Sequence, residues 1–161
     1  MKISGYAAVF GNIDSGNDII LPEAFNKTIA DRPPQTLPLL WNHNGNALPI
    51  GRIVNVTPDS RGLKFNAELF PEQWAKAAGI AKDYLERGGI GSSIGFTTRE
   101  SETRADGVRV IKRADLFEIS LTPIPMNPLA QVSQAKSGNV EYLECAAMTT
   151  GVAAIVAALA A

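Results

Sequence analysis

Residues 51–70 read GRIVNVTPDSRGLKFNAELF, and no other stretch constrains the fold more. Leu63, Phe65, Ala67 and Leu69 alternate with Lys64, Asn66 and Glu68. A strand turns successive side chains to opposite faces, so this pattern buries one face and leaves the other in water. PDSRG supplies the connection to the preceding extended run, and the whole segment is predicted as a hairpin.

The rest of the chain repeats short strands and turns. ISGYAAVFGNI reads as a strand, and DSGND after it as a turn. IILPEAFNKTIADRPP reads as a strand end and then a short helix, with Pro22 suited to a first helical turn and Pro33-Pro34 as the stop. TLPLLWNHN is a further extended segment. PEQWAKAAGIAKDYLERGG is the one good helix: Trp74, Ala77, Ala78, Ala81, Tyr84 and Leu85 share a face, Pro71 opens it and Gly88-Gly89 closes it. IGSSIGFTTRESE and GVRVIKRADLFEISLTPIP read as strands joined by RADG. Together these predict a mostly β fold with flanking helices (α+β), a barrel or a sandwich. The 161 residues suit one compact domain. After about Lys136 the composition shifts to Ala, Thr, Gly and Val. The expected division is a domain over 1–136 and an Ala-rich segment over 137–161, a helix or a removable tail.

Charge and sulfur content remove several function classes. Fifteen basic residues face sixteen acidic ones, and no Lys/Arg-rich block appears, so no nucleic-acid groove is expected. One cysteine, Cys145, leaves no internal disulfide, and one Cys with one His cannot make a Cys/His zinc site. No cofactor is expected. Cys145 lies in the Ala-rich segment with no activating neighbour, which argues against a nucleophilic thiol. The N-terminus lacks the pattern of a signal peptide. The terminal AAMTTGVAAIVAALAA is broken by Thr149, Thr150 and Gly151 and falls short of the roughly 18–20 apolar residues that span a bilayer. No membrane partner is expected, and a cytoplasmic or intraparticle setting is.

Three segments carry residues suited to chemistry. His43 is the only histidine, so any histidine-dependent chemistry in this subunit uses it. Its plain reading is a structural or surface histidine; its functional reading is a general base. Ser92 and Ser93 lie among four glycines in GGIGSSIGF. Such a run is ordinarily a turn, yet glycines around a nucleophile let a substrate backbone approach and free amides for an oxyanion. Glu118 interrupts the apolar DLFEISLTP and shares a strand face with Leu116 and Ser120. It is either on a solvated face or buried with a partner. A hydroxyl nucleophile needs a base, and the base needs a third group to hold its tautomer. All three types are available, although spacing alone does not bring them together.

In order and separation, these blocks resemble the prohead (procapsid) maturation serine proteases of tailed bacteriophages. The resemblance runs through GYAAVFGNIDSGNDIILPEAF, LPLLWNHN followed by PIGRI, RGLKFNAEL, SSIGF and LFEISLTPIPMNPLA, over roughly residues 3–133. It implies a small closed β-barrel similar to the herpesvirus assembly proteases, and a serine endopeptidase. His43 matches the family's base. Ser93, directly before Ile-Gly-Phe, matches the nucleophile, with Ser92 as second choice. Glu118 matches the third member, and Asp115 is the nearest substitute. The implied substrates are the major capsid protein precursor or its scaffold segment, and the protease itself. The implied setting is the assembling procapsid in the bacterial host cytoplasm, with a homo-oligomer as an open option. The extension that commonly precedes the first block is nearly absent and the region after the last is short; neither departure touches the three segments that carry His43, Ser93 and Glu118.

Two other readings stay open at this level. The barrel is a catalytically silent structural or scaffold module of the procapsid, or it is a small-molecule esterase. The low aromatic content of 7% argues against the large aromatic-lined pocket of the latter.

Overall fold

The computed structural model describes residues 1–135. Along them run β1 (Lys2–Val9), β2 (Asp18–Ile20), α1 (Asn26–Asp31), β3 (Pro38–Trp41), β4 (Gly51–Pro58), β5 (Gly62–Leu69), α2 (Lys76–Glu86), β6 (Ile90–Thr103), β7 (Arg109–Thr122) and β8 (Gln131–Gln134). The hairpin is β4 and β5, in antiparallel register with Val56 opposite Phe65 and Gly51 opposite Leu69. The alternation works as expected: Leu63, Phe65, Ala67 and Leu69 are buried, and Lys64 is exposed.

Seven strands close into a barrel in the order β7-β3-β4-β5-β1-β8-β6, with β6 returning to β7. Closure leaves no free edge in the ring. The eighth strand, β2, lies outside it, parallel to the start of β7. The interior is filled by Ile3, Leu39, Ile53, Leu63, Phe65, Ile111, Leu116, Ile119 and Leu121, all essentially inaccessible. Burying each such side chain contributes roughly 1.5–3 kcal/mol. β3 pairs parallel to β7, with Leu39 opposite Ile119 and Trp41 opposite Leu121. This pairing ends β3 directly over the C-terminal third of β7.

Two elements differ from the sequence reading. Strand β8 was not expected, because QVSQ has a single apolar residue, Val132, and so no visible alternation. It exists because Val132 meets Gly5 of β1 on one side and Ile90 of β6 on the other, which closes the ring. Helix α2 starts at Lys76 rather than near Pro71. The Trp74 N–H donates to the Pro71 carbonyl at 2.9 Å, and Ala75 is extended at φ −149°. Trp74 therefore sits ahead of the helix, 66% exposed, against the Phe70 ring. The buried helix face is Ala78, Ala81 and Leu85. The expected stop holds: Gly88 and Gly89 take φ +134° and +115°, a region that favours glycine. The boundary at residue 136, the segment 137–161 and Cys145 lie outside the described residues.

Candidate active site

Beyond Trp41 the chain turns sharply. Asn42 and His43 take φ +50° and +57°, two successive left-handed residues. Such a conformation costs roughly 1–2 kcal/mol for an ordinary side chain, and Asn bears it better than His. Two hydrogen bonds to β7 offset it. The Asn42 N–H donates to the Leu121 carbonyl at 3.1 Å, and the His43 N–H donates to Ser120 Oγ at 3.0 Å.

This turn lays the imidazole beside Glu118. Nδ1 of His43 lies 2.6 Å from Oε1 of Glu118. An ionised carboxylate only accepts, so in a neutral ring this bond assigns the proton to Nδ1 and the lone pair to Nε2. The His43 side chain is 45% exposed, the Glu118 side chain only 11%. The second carboxylate oxygen, Oε2, accepts from Ser120 Oγ at 2.7 Å. Glu118 is therefore on no solvated face: it is buried with partners for both oxygens, as a buried carboxylate requires. Room for it comes from the neighbouring strand. Gly95 is the cross-strand partner of Glu118, and a Cβ there would lie 2.5 Å from Oε1 and 2.9 Å from the Cγ of Glu118. A side chain at residue 95 would push the carboxylate away.

Register separates the two serines. Ser93 pairs with Ser120 and Gly95 with Glu118, whereas Ser92 pairs with Leu121. Directly opposed residues project from the same face. Ser92 thus shares the inward face of fully buried Leu121, is itself inaccessible, and donates its hydroxyl to the Tyr6 carbonyl on β1. Ser93 shares the face of Ser120 and Glu118, is 7% exposed, and its hydroxyl makes no hydrogen bond among the described residues.

Ser93 and His43 line one cleft of about 320 Å³, which Ser92 also borders, with Ala7, Ala8, Ile20, Phe96 and Met126 as its apolar wall. Its polar side is Asp14, Asp18 and Arg109. Arg109 grips Asp18 through Nε at 2.8 Å and Nη2 at 2.5 Å. Those bonds raise the Arg109 pKa against the opposing effect of desolvation. Asp115, the substitute acid, is bound instead by Arg99 Nε at 2.6 Å and makes no contact with His43 among the described residues. No group of three or more metal-ligating side chains gathers among the described residues, and none of their helices is long and apolar enough to cross a membrane. The sequence reading placed Ser120 on the Glu118 face but gave it no role. The signal available was the Glu-x-Ser spacing itself, which puts two polar groups on one face of an apolar strand.

Comparison with known proteins agrees with this architecture. The model of the caudovirus prohead serine protease family matches residues 1–144. The prohead protease of Enterobacteria phage HK97 is 33% identical over 136 residues, 83% of this chain and 59% of that protein. The prohead protease of Escherichia phage T5 is 25% identical over 140 residues, 86% of this chain and 65% of that protein. The chain thus spans less than two thirds of either relative. Among solved structures, the KSHV protease in complex with a hexapeptide phosphonate inhibitor superposes with a TM-score of 0.56 at 12% identity, over 81% of this chain and 63% of that one. That likeness establishes the shared barrel fold.

Proposed function

The chain belongs to the caudovirus prohead serine protease family, and from that premise we propose that it is a serine endopeptidase of procapsid maturation whose nucleophile is Ser93, base His43 and orienting acid Glu118. The observation that carries the reading is the 2.6 Å bond from His43 Nδ1 to Glu118, with Ser93 on the same strand face and in the same cleft.

In this reading Ser93 Oγ attacks the scissile carbonyl carbon while Nε2 of His43 takes the hydroxyl proton. Glu118 holds the Nδ1–H and stabilises the imidazolium. The C–N bond then breaks, His43 returns the proton to the leaving amine, and an acyl-Ser93 ester remains. Water, deprotonated by the same Nε2, hydrolyses the ester and restores the hydroxyl.

The proposed substrates are the major capsid protein precursor, at its scaffold segment, and the protease itself. The proposed setting is the assembling procapsid within the host cytoplasm. Residues 1–136 are the protease domain in this proposal and 137–161 a removable tail. The ring of strands closes within residues 1–135, which supports that division. A chain ending at 136 is expected to fold and cleave yet to package poorly, which circular dichroism, cleavage in solution and co-sedimentation with assembled shells check.

Co-expression with the cognate capsid protein, followed by mass spectrometry of the fragments, tests the reading. New termini that appear with the wild type and vanish with Ser93→Ala are the expected result. An uncut capsid protein and no labelling of Ser93 by a fluorophosphonate would leave a catalytically silent scaffold module instead.

A further inference from the structure

Two groups of the site meet at one side chain that the proposed chemistry does not use. Ser120 is inaccessible, and its Oγ has two directed partners. It accepts from the backbone N–H of His43 at 3.0 Å and donates to Oε2 of Glu118 at 2.7 Å. Its own residue also faces Ser93 across the β6–β7 ladder.

Each contact fixes a different degree of freedom. The bond from the His43 N–H holds a non-glycine residue at φ +57°, so it sets where the imidazole leaves the backbone. The bond to Oε2 fixes the rotation of the Glu118 carboxylate, so Oε1 stays aimed at Nδ1. A hydroxyl has one proton and two lone pairs, and here the proton is committed to Glu118. The His43 amide is therefore received by a lone pair, and the two bonds do not compete. The pairing with Ser93 ties this arrangement to the nucleophile's strand at a fixed cross-strand spacing.

We infer that Ser120 is a positioning residue of this site: its hydroxyl couples the His43 backbone to the Glu118 carboxylate and so selects the Nδ1–H tautomer that leaves Nε2 free to take the Ser93 proton. The inference rests on the reading of Ser93 as nucleophile and His43 as base. It predicts that removing the hydroxyl damages the rate of the chemical step and the tautomer balance together, whereas a packing role alone would alter stability and leave the tautomer unchanged.

The single histidine makes the tautomer directly readable. In the full chain labelled with ¹⁵N-histidine, all imidazole signals belong to His43. Wild type is expected to show a neutral Nδ1–H ring with a low-field, carboxylate-bonded proton. Ser120→Ala and Ser120→Cys, the second nearly isosteric but a weak hydrogen-bonding group, are expected to lose that proton and mix the tautomers. Labelling by a biotinylated fluorophosphonate should slow on the order of 10–100-fold in both. The loss should fall in the maximal rate rather than in the half-saturating probe concentration. Ser120→Thr keeps Oγ and should label faster than either. Wild-type tautomer and labelling rate in the Ala and Cys proteins would overturn the inference, as would a Thr protein no better than Ala. His43→Ala separates this failure from that of the site reading. If His43→Ala labels at the wild-type rate, the base assignment itself is wrong and this inference falls with it. If it loses labelling while Ser120→Cys does not, the inference fails alone.

Discussion

The two halves of the β6–β7 ribbon have the same backbone arrangement and opposite characters. Both belong to one antiparallel ladder. In the distal half, Arg99 meets Asp115, Arg113 meets Glu100 at 3.9 Å, and Lys112 meets Glu102, every partner at least one-third exposed. In the proximal half, Glu118 is buried beneath the β3–β4 connection and bonds His43 and Ser120. The distal pairs are screened by water, and each contributes little. In the proximal pair His43 is 45% exposed but the Glu118 side chain only 11%, so few water dipoles reach the carboxylate and a partner lost there is felt in full. The ladder alone makes neither site nor surface; what lies over it decides.

The hardest test of this contrast is the proposed nucleophile. Ser93→Ala should lower turnover on the order of 10⁶-fold, read by cleavage of the capsid precursor. Ser92→Ala, one residue earlier and facing inward, should keep most activity. It should instead lose roughly 1–3 kcal/mol in urea unfolding, because the Tyr6 carbonyl loses a buried donor. Activity lost in Ser92→Ala alone would reverse the register argument.

Next come changes to the carboxylate. Glu118→Gln should keep the fold and lower kcat by up to about 10⁴-fold, less than loss of Ser93, since in the proposed mechanism Glu118 orients and does not react. Wild-type kcat in Glu118→Gln would place the orienting acid elsewhere. Gly95→Ala should lower kcat on the order of 100-fold by displacing Oε1, although residue 95 carries no reactive group. Unchanged kinetics in Gly95→Ala would mean that the carboxylate position is not critical.

The distal half should barely respond. Arg99→Ala is expected to cost about 0.2–1 kcal/mol in urea unfolding and to leave kcat unchanged, and high salt should erase even that difference. The Lys112–Glu102 pair gives a pH signature of the same half. Its hydrogen bond and charge lower the Glu102 pKa from 4.5 and raise the Lys112 pKa from 10.5. The Glu102 contribution is present above the unfolded carboxylate value and disappears as pH falls through the lowered one. The Lys112 contribution is present below the unfolded lysine value and disappears as pH rises through the raised one. Thermal melts of wild type and Lys112→Met should therefore differ slightly between those limits and converge outside them. A large difference at neutral pH would break the contrast between the halves.

Much of the barrel was legible because burial imposes a period of two wherever a strand has a wet face. The β4–β5 hairpin announces itself in Leu63, Phe65, Ala67 and Leu69, whereas β6 and β7 are buried as continuous runs over Ile90–Ser93 and Glu118–Thr122 and show no strict alternation. Strand β8 did not, since four residues with one buried side chain carry no period, and only the facing edges of β1 and β6 make it a strand. Trp74 misled because an apolar residue at helical spacing looks the same whether the helix has started or not. The start was set by the backbone of Pro71–Ala75, which hydrophobic periodicity does not report.

At the site, the sequence by itself determined the inventory: one imidazole, two adjacent hydroxyls, and a carboxylate in an apolar strand. Residue type limits which group can take a proton or attack a carbonyl, so these choices needed no coordinates. Only the tertiary structure decided which of them meet. His43 and Glu118 are 75 residues apart and come within 2.6 Å because β3 pairs parallel to β7 and the chain then turns left-handed twice. The direction in which Ser92 and Ser93 face is likewise set by register, since Ser92 pairs with inward-facing Leu121 and Ser93 with Ser120 on the face of Glu118. Such long-range pairings follow from closing the whole ring of strands, and no local stretch of sequence encodes them.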